Sequence, residues 1–153
     1  MRATVVILTK LPGHMPVKSR LVPLLGERGA IEFHLESLRR TIELARHFDP
    51  EPTVATSPFD ADPAAALPDM PPCRMMPVAG EDGAVCLENA LALAGAGEPL
   101  IALGADAPDL PASRIEKALD MLRWFDAERR ALAICRTSIP WECISAGWIR
   151  TST

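Results

Sequence analysis

Two short segments hold most of the side chains that could act on a ligand. The first, Thr9 to Leu21, carries Lys10, Lys18, Ser19 and Arg20 around the pair Pro12-Gly13. Lysine supplies a mobile point charge and arginine a planar fork of donors, and loop amides add fixed ones. That set suits a di- or triphosphate, with Lys10, Pro12, Gly13, Lys18, Ser19 and Arg20 as the candidate phosphate-binding residues. The spacing is not that of a Walker loop, because G-x-x-x-x-G-K is absent. The same composition also describes a solvated basic loop. The second segment, Gly104-Ala105-Asp106-Ala107-Pro108-Asp109-Leu110-Pro111, offers two carboxylates. Magnesium is typically held by one or two carboxylates plus substrate phosphates, so Asp106 alone could anchor Mg2+ or Mn2+. A turn aspartate is the plainer reading of Asp106. Asp109, just ahead of an expected helix, reads as a residue that serves the helix start.

The remaining reactive types add little. His34 and His47 are expected on the solvent side of the first helix, and His14 is a loop residue within reach of a phosphate; none reads as a catalytic base. Cys73, Cys86, Cys135 and Cys143 are widely spaced without a C-x-x-C pair, which argues against zinc and redox chemistry and for free thiols in a reducing compartment.

Both segments need elements to hold them. Ala3 to Leu8 is a continuous, β-branched apolar run, the pattern of a strand buried on both faces, here expected to be central. Thr9 to Gly29 is punctuated by Pro12, Gly13, Pro16, Pro23 and Gly26 and reads as a long loop. From Ile31 the stripe Ile31, Leu35, Leu38, Ile42 and Ala45 predicts an amphipathic helix. Thr53 to Thr56 reads as a strand, Pro58 to Pro72 as connection, Arg74 to Val78 as an edge strand and Val85 to Ala94 as a helix ended by Gly95. Leu100 to Leu103 is another buried strand. A helix follows over about Pro111 to Phe125, with Ser113 and Glu116 matching a capping box. Leu132 to Cys135 is the last strand. Alternating strands and helices imply an α/β fold, a three-layer α/β/α sandwich with a mostly parallel sheet. In such sheets ligands bind beyond the carboxyl ends of the strands, where both segments fall.

The 153 residues suit a single domain, 1–153, that buries about two-thirds of its unfolded surface. A formal net charge of -4 gives no basic footprint for nucleic acid. The opening apolar run is too short for a signal-peptide core and no segment could span a membrane, so a cytoplasmic protein is expected.

Thr9-Lys10-Leu11-Pro12-Gly13 with Val17-Lys18-Ser19-Arg20-Leu21, then Leu24 and Gly26, and the Gly104 to Pro111 segment together resemble one bacterial family. It is a family of candidate glycosyltransferases with a nucleotide-diphospho-sugar transferase fold, the domain of unknown function 2064 family (DUF2064). The resemblance covers most of residues 3 to 125 and implies a GT-A-like fold. It places Lys10, Lys18 and Arg20 on a nucleotide's phosphates and makes Asp106 the metal carboxylate, with Asp106 and Lys18 as the catalytic pair. The implied function is metal-dependent glycosyl transfer from a nucleoside-diphosphate sugar. The family's likeness in fold to the molybdenum-cofactor and phospholactate guanylyltransferases supplies an alternative, nucleotidyl transfer to a small phosphorylated molecule.

Two departures from the family pattern bear on these expectations. Where the family has Asp-Leu-Gly-x-Arg, this chain has Glu81-Asp82-Gly83-Ala84-Val85-Cys86, without the arginine. Where the family continues into Pro-x-x-Asp-Gly-Gly and further strands, this chain reads Arg136-Thr137-Ser138-Ile139-Pro140-Trp141-Glu142-Cys143 and stops at Thr153. Glu142 is then the stand-in for a second carboxylate and the C-terminal part is expected to be shortened. Apolar surface around Trp141, Trp148 and Ile149 supports a third reading, a non-catalytic domain that forms a homodimer.

Overall fold

The apolar run read as a buried strand is β1 (Thr4–Lys10) in the computed structural model, which describes residues 3–80, 83–93, 99–106, 108–124 and 132–135. Val5, Val6 and Ile7 are all fully buried, although neighbouring residues of a strand point to opposite faces, so both faces of the sheet are covered. The other strands are β2 (Thr53–Ser57), β3 (Arg74–Pro77), β4 (Leu100–Gly104) and β5 (Leu132–Cys135). They form one five-stranded sheet in the order β3-β2-β1-β4-β5. Every pairing is parallel; β1 sits in the middle, with Ile7 opposite Val54 on one side and Leu103 on the other. Pro77 is tolerated because it ends β3, the edge strand.

Helices α1 (Val22–Ala45) and α4 (Ala112–Trp124) share one core with the sheet: Leu38, Ile42, Ile115 and Leu119 pack with Val5, Ile7, Val54, Ile101 and Leu103. Helix α3 (Gly83–Leu93) covers the other face, where Cys86 and Ala90 meet Val6, Ala55 and Val78. The short α2 (Pro63–Ala66) lies within the connection between β2 and β3, and the Ala64 amide donates to the Asp62 carboxylate at 3.0 Å. The result is the three-layer α/β/α arrangement with a parallel sheet that the alternation of elements implies.

The structure corrects two expectations about α1. The helix begins at Val22, not near Ile31, so the irregular loop ends well before Gly29. Pro23 lies in the first turn, where its missing N–H costs nothing, and Gly26 (φ 72, ψ 170) kinks the helix rather than ending it. The buried face is also wider than the expected stripe, of which Leu38, Ile42 and Ala45 are buried and Leu35 packs against the core. It runs through Ala30, His34, Ser37, Leu38, Thr41, Ile42 and Ala45, and the Thr41 hydroxyl is satisfied by donating to the Ser37 carbonyl at 2.8 Å. His34 is therefore 4% exposed instead of solvent-facing, whereas His47 is exposed as expected.

Among the described residues no helix is long and apolar enough to cross a membrane, and Cys73 and Cys86 are free thiols. Glu81, Asp82, Gly95, Phe125, Glu142, Trp141, Trp148 and Ile149 lie outside the described residues.

Candidate functional site

The chain leaves β1 toward β2 on one side, while β4 takes up the other side, so the crevice between the carboxyl ends of β1 and β4 is the sheet's switch point. The two sequence segments meet there. Leu11, fully buried, anchors the first: its amide donates to the Ser57 carbonyl at 2.8 Å, and its own carbonyl accepts from the His14 and Met15 amides. Pro12 and Gly13 (φ 82) occupy the two central positions of that turn, the arrangement of a type II turn, which requires a positive φ at its third residue. The chain then returns through Val17, buried, to Lys18.

Lys18 has left-handed backbone angles (φ 49, ψ 38), and its carbonyl accepts from the Leu21 amide at 2.8 Å to close the single 3-10 turn Ser19–Leu21. Its ammonium forms an ion pair with the Asp106 carboxylate, 88 positions away along the chain. It also lies over the Phe33 ring, 5.7 Å from the centroid, within reach of a cation–π contact. The pair is lopsided: the Lys18 side chain is 13% exposed and that of Asp106 80%. Asp106 thus presents its carboxylate outward, two residues past the last residue of β4. Surface ion pairs contribute about 0–1 kcal/mol, so this one is readily exchanged for a better partner.

Beneath the loop, the His34 Nε2 lies 3.1 Å from the Lys10 carbonyl and 3.0 Å from the Thr9 hydroxyl. A carbonyl can only accept, so Nε2 carries the hydrogen and donates to Lys10, fixing the end of β1 where the loop begins. Burial holds the imidazole below its ordinary pKa of 6.5; the Lys10 carbonyl pulls the other way, the Lys18 ammonium pushes it further down and the Asp106 carboxylate up.

The structure brings Lys18 and Asp106 into contact and leaves Lys10, Gly13, Ser19 and Arg20 exposed on the same loop, with Pro12 half-buried. Asp109 is paired instead with Arg40, 3.8 Å away, which also holds Glu36. Two neighbours of the site escape sequence reasoning. His34 has a signal, the four-residue row His34, Leu38, Ile42, but Phe33 has none, since a single aromatic on a polar helix flank is ordinary.

The donor set decides what a metal would find here. Among the described residues no group of three or more His, Cys, Asp or Glu side chains converges. The described residues therefore build no cage of their own, and among them Asp106 fits a hard divalent ion as one ligand beside water and a ligand's phosphates.

Fold and site together define an open parallel α/β domain with a charged crevice at its switch point. No family model and no curated protein matches the chain. Among solved structures the chain is similar to the crystal structure of a candidate nucleotide-diphospho-sugar transferase from Desulfovibrio desulfuricans G20, with 25% sequence identity and a TM-score of 0.68. The match covers 82% of this chain and 57% of that one, so the chain spans little more than half the length of its neighbour. The fold is of the nucleotide-diphospho-sugar transferase type.

Proposed function

We propose that the domain binds the diphosphate of a nucleoside-diphosphate sugar in the β1/β4 crevice and takes part in transferring the glycosyl group to an acceptor. The observation that carries this reading is the meeting of Lys18 and Asp106 across the switch point, with exposed Lys10, Ser19 and Arg20 on the same loop. The likeness to a nucleotide-diphospho-sugar transferase structure supports the same ligand class.

In glycosyl transfer the bond from the sugar's anomeric carbon to the diphosphate oxygen breaks, and a bond to an acceptor hydroxyl oxygen forms as that hydroxyl's proton passes to the leaving diphosphate or to water. Negative charge grows on the leaving diphosphate, and groups positioned to meet that charge lower the barrier. Lys18, freed from Asp106, and the exposed Lys10 and Arg20 are the cations for this role. Space is open beside Gly13: apart from its two chain neighbours, nothing lies within 4 Å of where its Cβ would stand. Asp106 would be the residue to hold a divalent ion, which would supply further neutralisation of the same charge.

The test is a thermal-shift series with UDP- and GDP-sugars, with and without Mn2+, on the wild type and Asp106→Ala. Binding to the native state raises the melting temperature by mass action. The expected result is a Mn2+-dependent shift that Asp106→Ala abolishes. No shift with any donor, or an equal shift in the variant, would overturn the reading. Release of pyrophosphate from a nucleoside triphosphate would identify nucleotidyl transfer instead.

A further inference from the structure

The carboxylate that would take a metal is paired with a cation of the chain itself: the Lys18 ammonium meets the Asp106 carboxylate. We propose that Lys18 and a divalent cation compete for Asp106, so that the cation binds more tightly when a ligand's diphosphate draws Lys18 away. Metal and nucleotide then bind as a coupled pair rather than independently. This regulation of the site rests on the nucleotide-binding reading above.

Three observations point to it. The first is charge. Lys18 and Asp106 cancel one another, so a dication entering alone meets a neutralised carboxylate with an ammonium on one of its oxygens. A diphosphate entering with the dication supplies anionic oxygens to both cations at once. The second is the number of ligands. Asp106 stands in no group of three or more potential metal-binding side chains among the described residues, so these residues leave most of an ion's coordination open to water and phosphate. The third is geometry. Asp106 is 80% exposed while Lys18 is 13% exposed, its ammonium over the Phe33 ring. The carboxylate is therefore open to an ion from solvent. The lysine, anchored at its backbone by the 3-10 turn, stays in the site and needs only side-chain rotation to reach a phosphate.

The coupling is reciprocal and, for typical allosteric pairs, amounts to about 5–150-fold. It is measured by counting free Mn2+ by electron paramagnetic resonance, with and without UDP or GDP, and correcting for the Mn2+ that the nucleotide holds in protein-free solution. The wild type is compared with Lys18→Met and with Lys117→Met, an exposed lysine of α4 with no place in the site. Methionine has the same backbone cost as lysine at φ 49, and Lys18→Asn, better suited to that conformation, repeats the test if Lys18→Met does not fold.

The expected result is that nucleotide raises the wild type's Mn2+ affinity within that range. Lys18→Met binds Mn2+ alone several-fold tighter than the wild type and shows a smaller rise on adding nucleotide, while Lys117→Met binds Mn2+ alone like the wild type. If nucleotide binds but Lys18→Met leaves the metal-alone affinity unchanged, or if both lysine variants raise it equally, the exchange is overturned while nucleotide binding stands. If no nucleotide binds any of the three proteins, with or without Mn2+, the functional reading and the exchange fall together.

Discussion

His34 links the helix that covers the sheet to the loop that would meet the ligand. Its Nε2 donates to the Lys10 carbonyl, and burial, the larger influence, keeps its pKa below 6.5. The sign follows from proton uptake. As pH falls through 6.5 the unfolded chain's histidine binds a proton that the folded one refuses, so stability is lost toward the lower folded value and is fully present above 6.5. Urea unfolding from about pH 7 down to about pH 5 should show this loss in the wild type and a flatter profile in His34→Gln, which keeps a donor but no titration. Equal slopes would contradict the assignment. Glu36, held below 4.5 by Arg40 and Arg39, loses its contribution only at lower pH and does not confuse the window. Lys18 and Asp106 were legible in the sequence as charges just beyond buried strands. Their contact was not, because it depends on a left-handed backbone at Lys18 that no lysine announces. His34 was misplaced because the buried face of α1 extends beyond the apolar stripe to Ala30, His34, Ser37 and Thr41, a width set by packing and not by the period of the apolar residues.

At the scale of elements, the strands were the most legible part. Continuous runs such as Thr4 to Leu8 and Leu100 to Leu103 have no polar alternation and fit only a sheet covered on both sides. The start of α1 was misread because Pro23 and Gly26 are the usual marks of a loop. Gly26 instead takes φ 72 and ψ 170 inside the helix, a region essentially closed to other residues. Nothing lies within 4 Å of where its Cβ would stand, so Gly26→Ala isolates the backbone cost, expected at about 1–3 kcal/mol. Chemical denaturation reads this directly. A variant as stable as the wild type would show that the kink is not held by the fold. The first turn of α1 sits between the 3-10 turn after Lys18 and the rest of the helix. A relaxed kink should therefore also weaken the Mn2+-dependent thermal shift.

The molecule as a whole places its chemistry where its topology leaves room. With β1 central and its neighbours β2 and β4 reached by different connections, the carboxyl ends of β1 and β4 open a crevice into which the loop after β1 and the turn after β4 both project. Lys18 and Asp106 pair across that crevice, and under the proposed exchange a diphosphate with a divalent ion would part them. The similar transferase structure shares this frame over 82% of the chain. The most direct test is the anomalous diffraction of Mn2+ in crystals grown with a nucleoside diphosphate. The expected result is a manganese peak against the Asp106 carboxylate, bridged to phosphates that have taken over Lys18. Phosphates bound away from the β1/β4 crevice, or manganese with no contact to Asp106, would contradict the account.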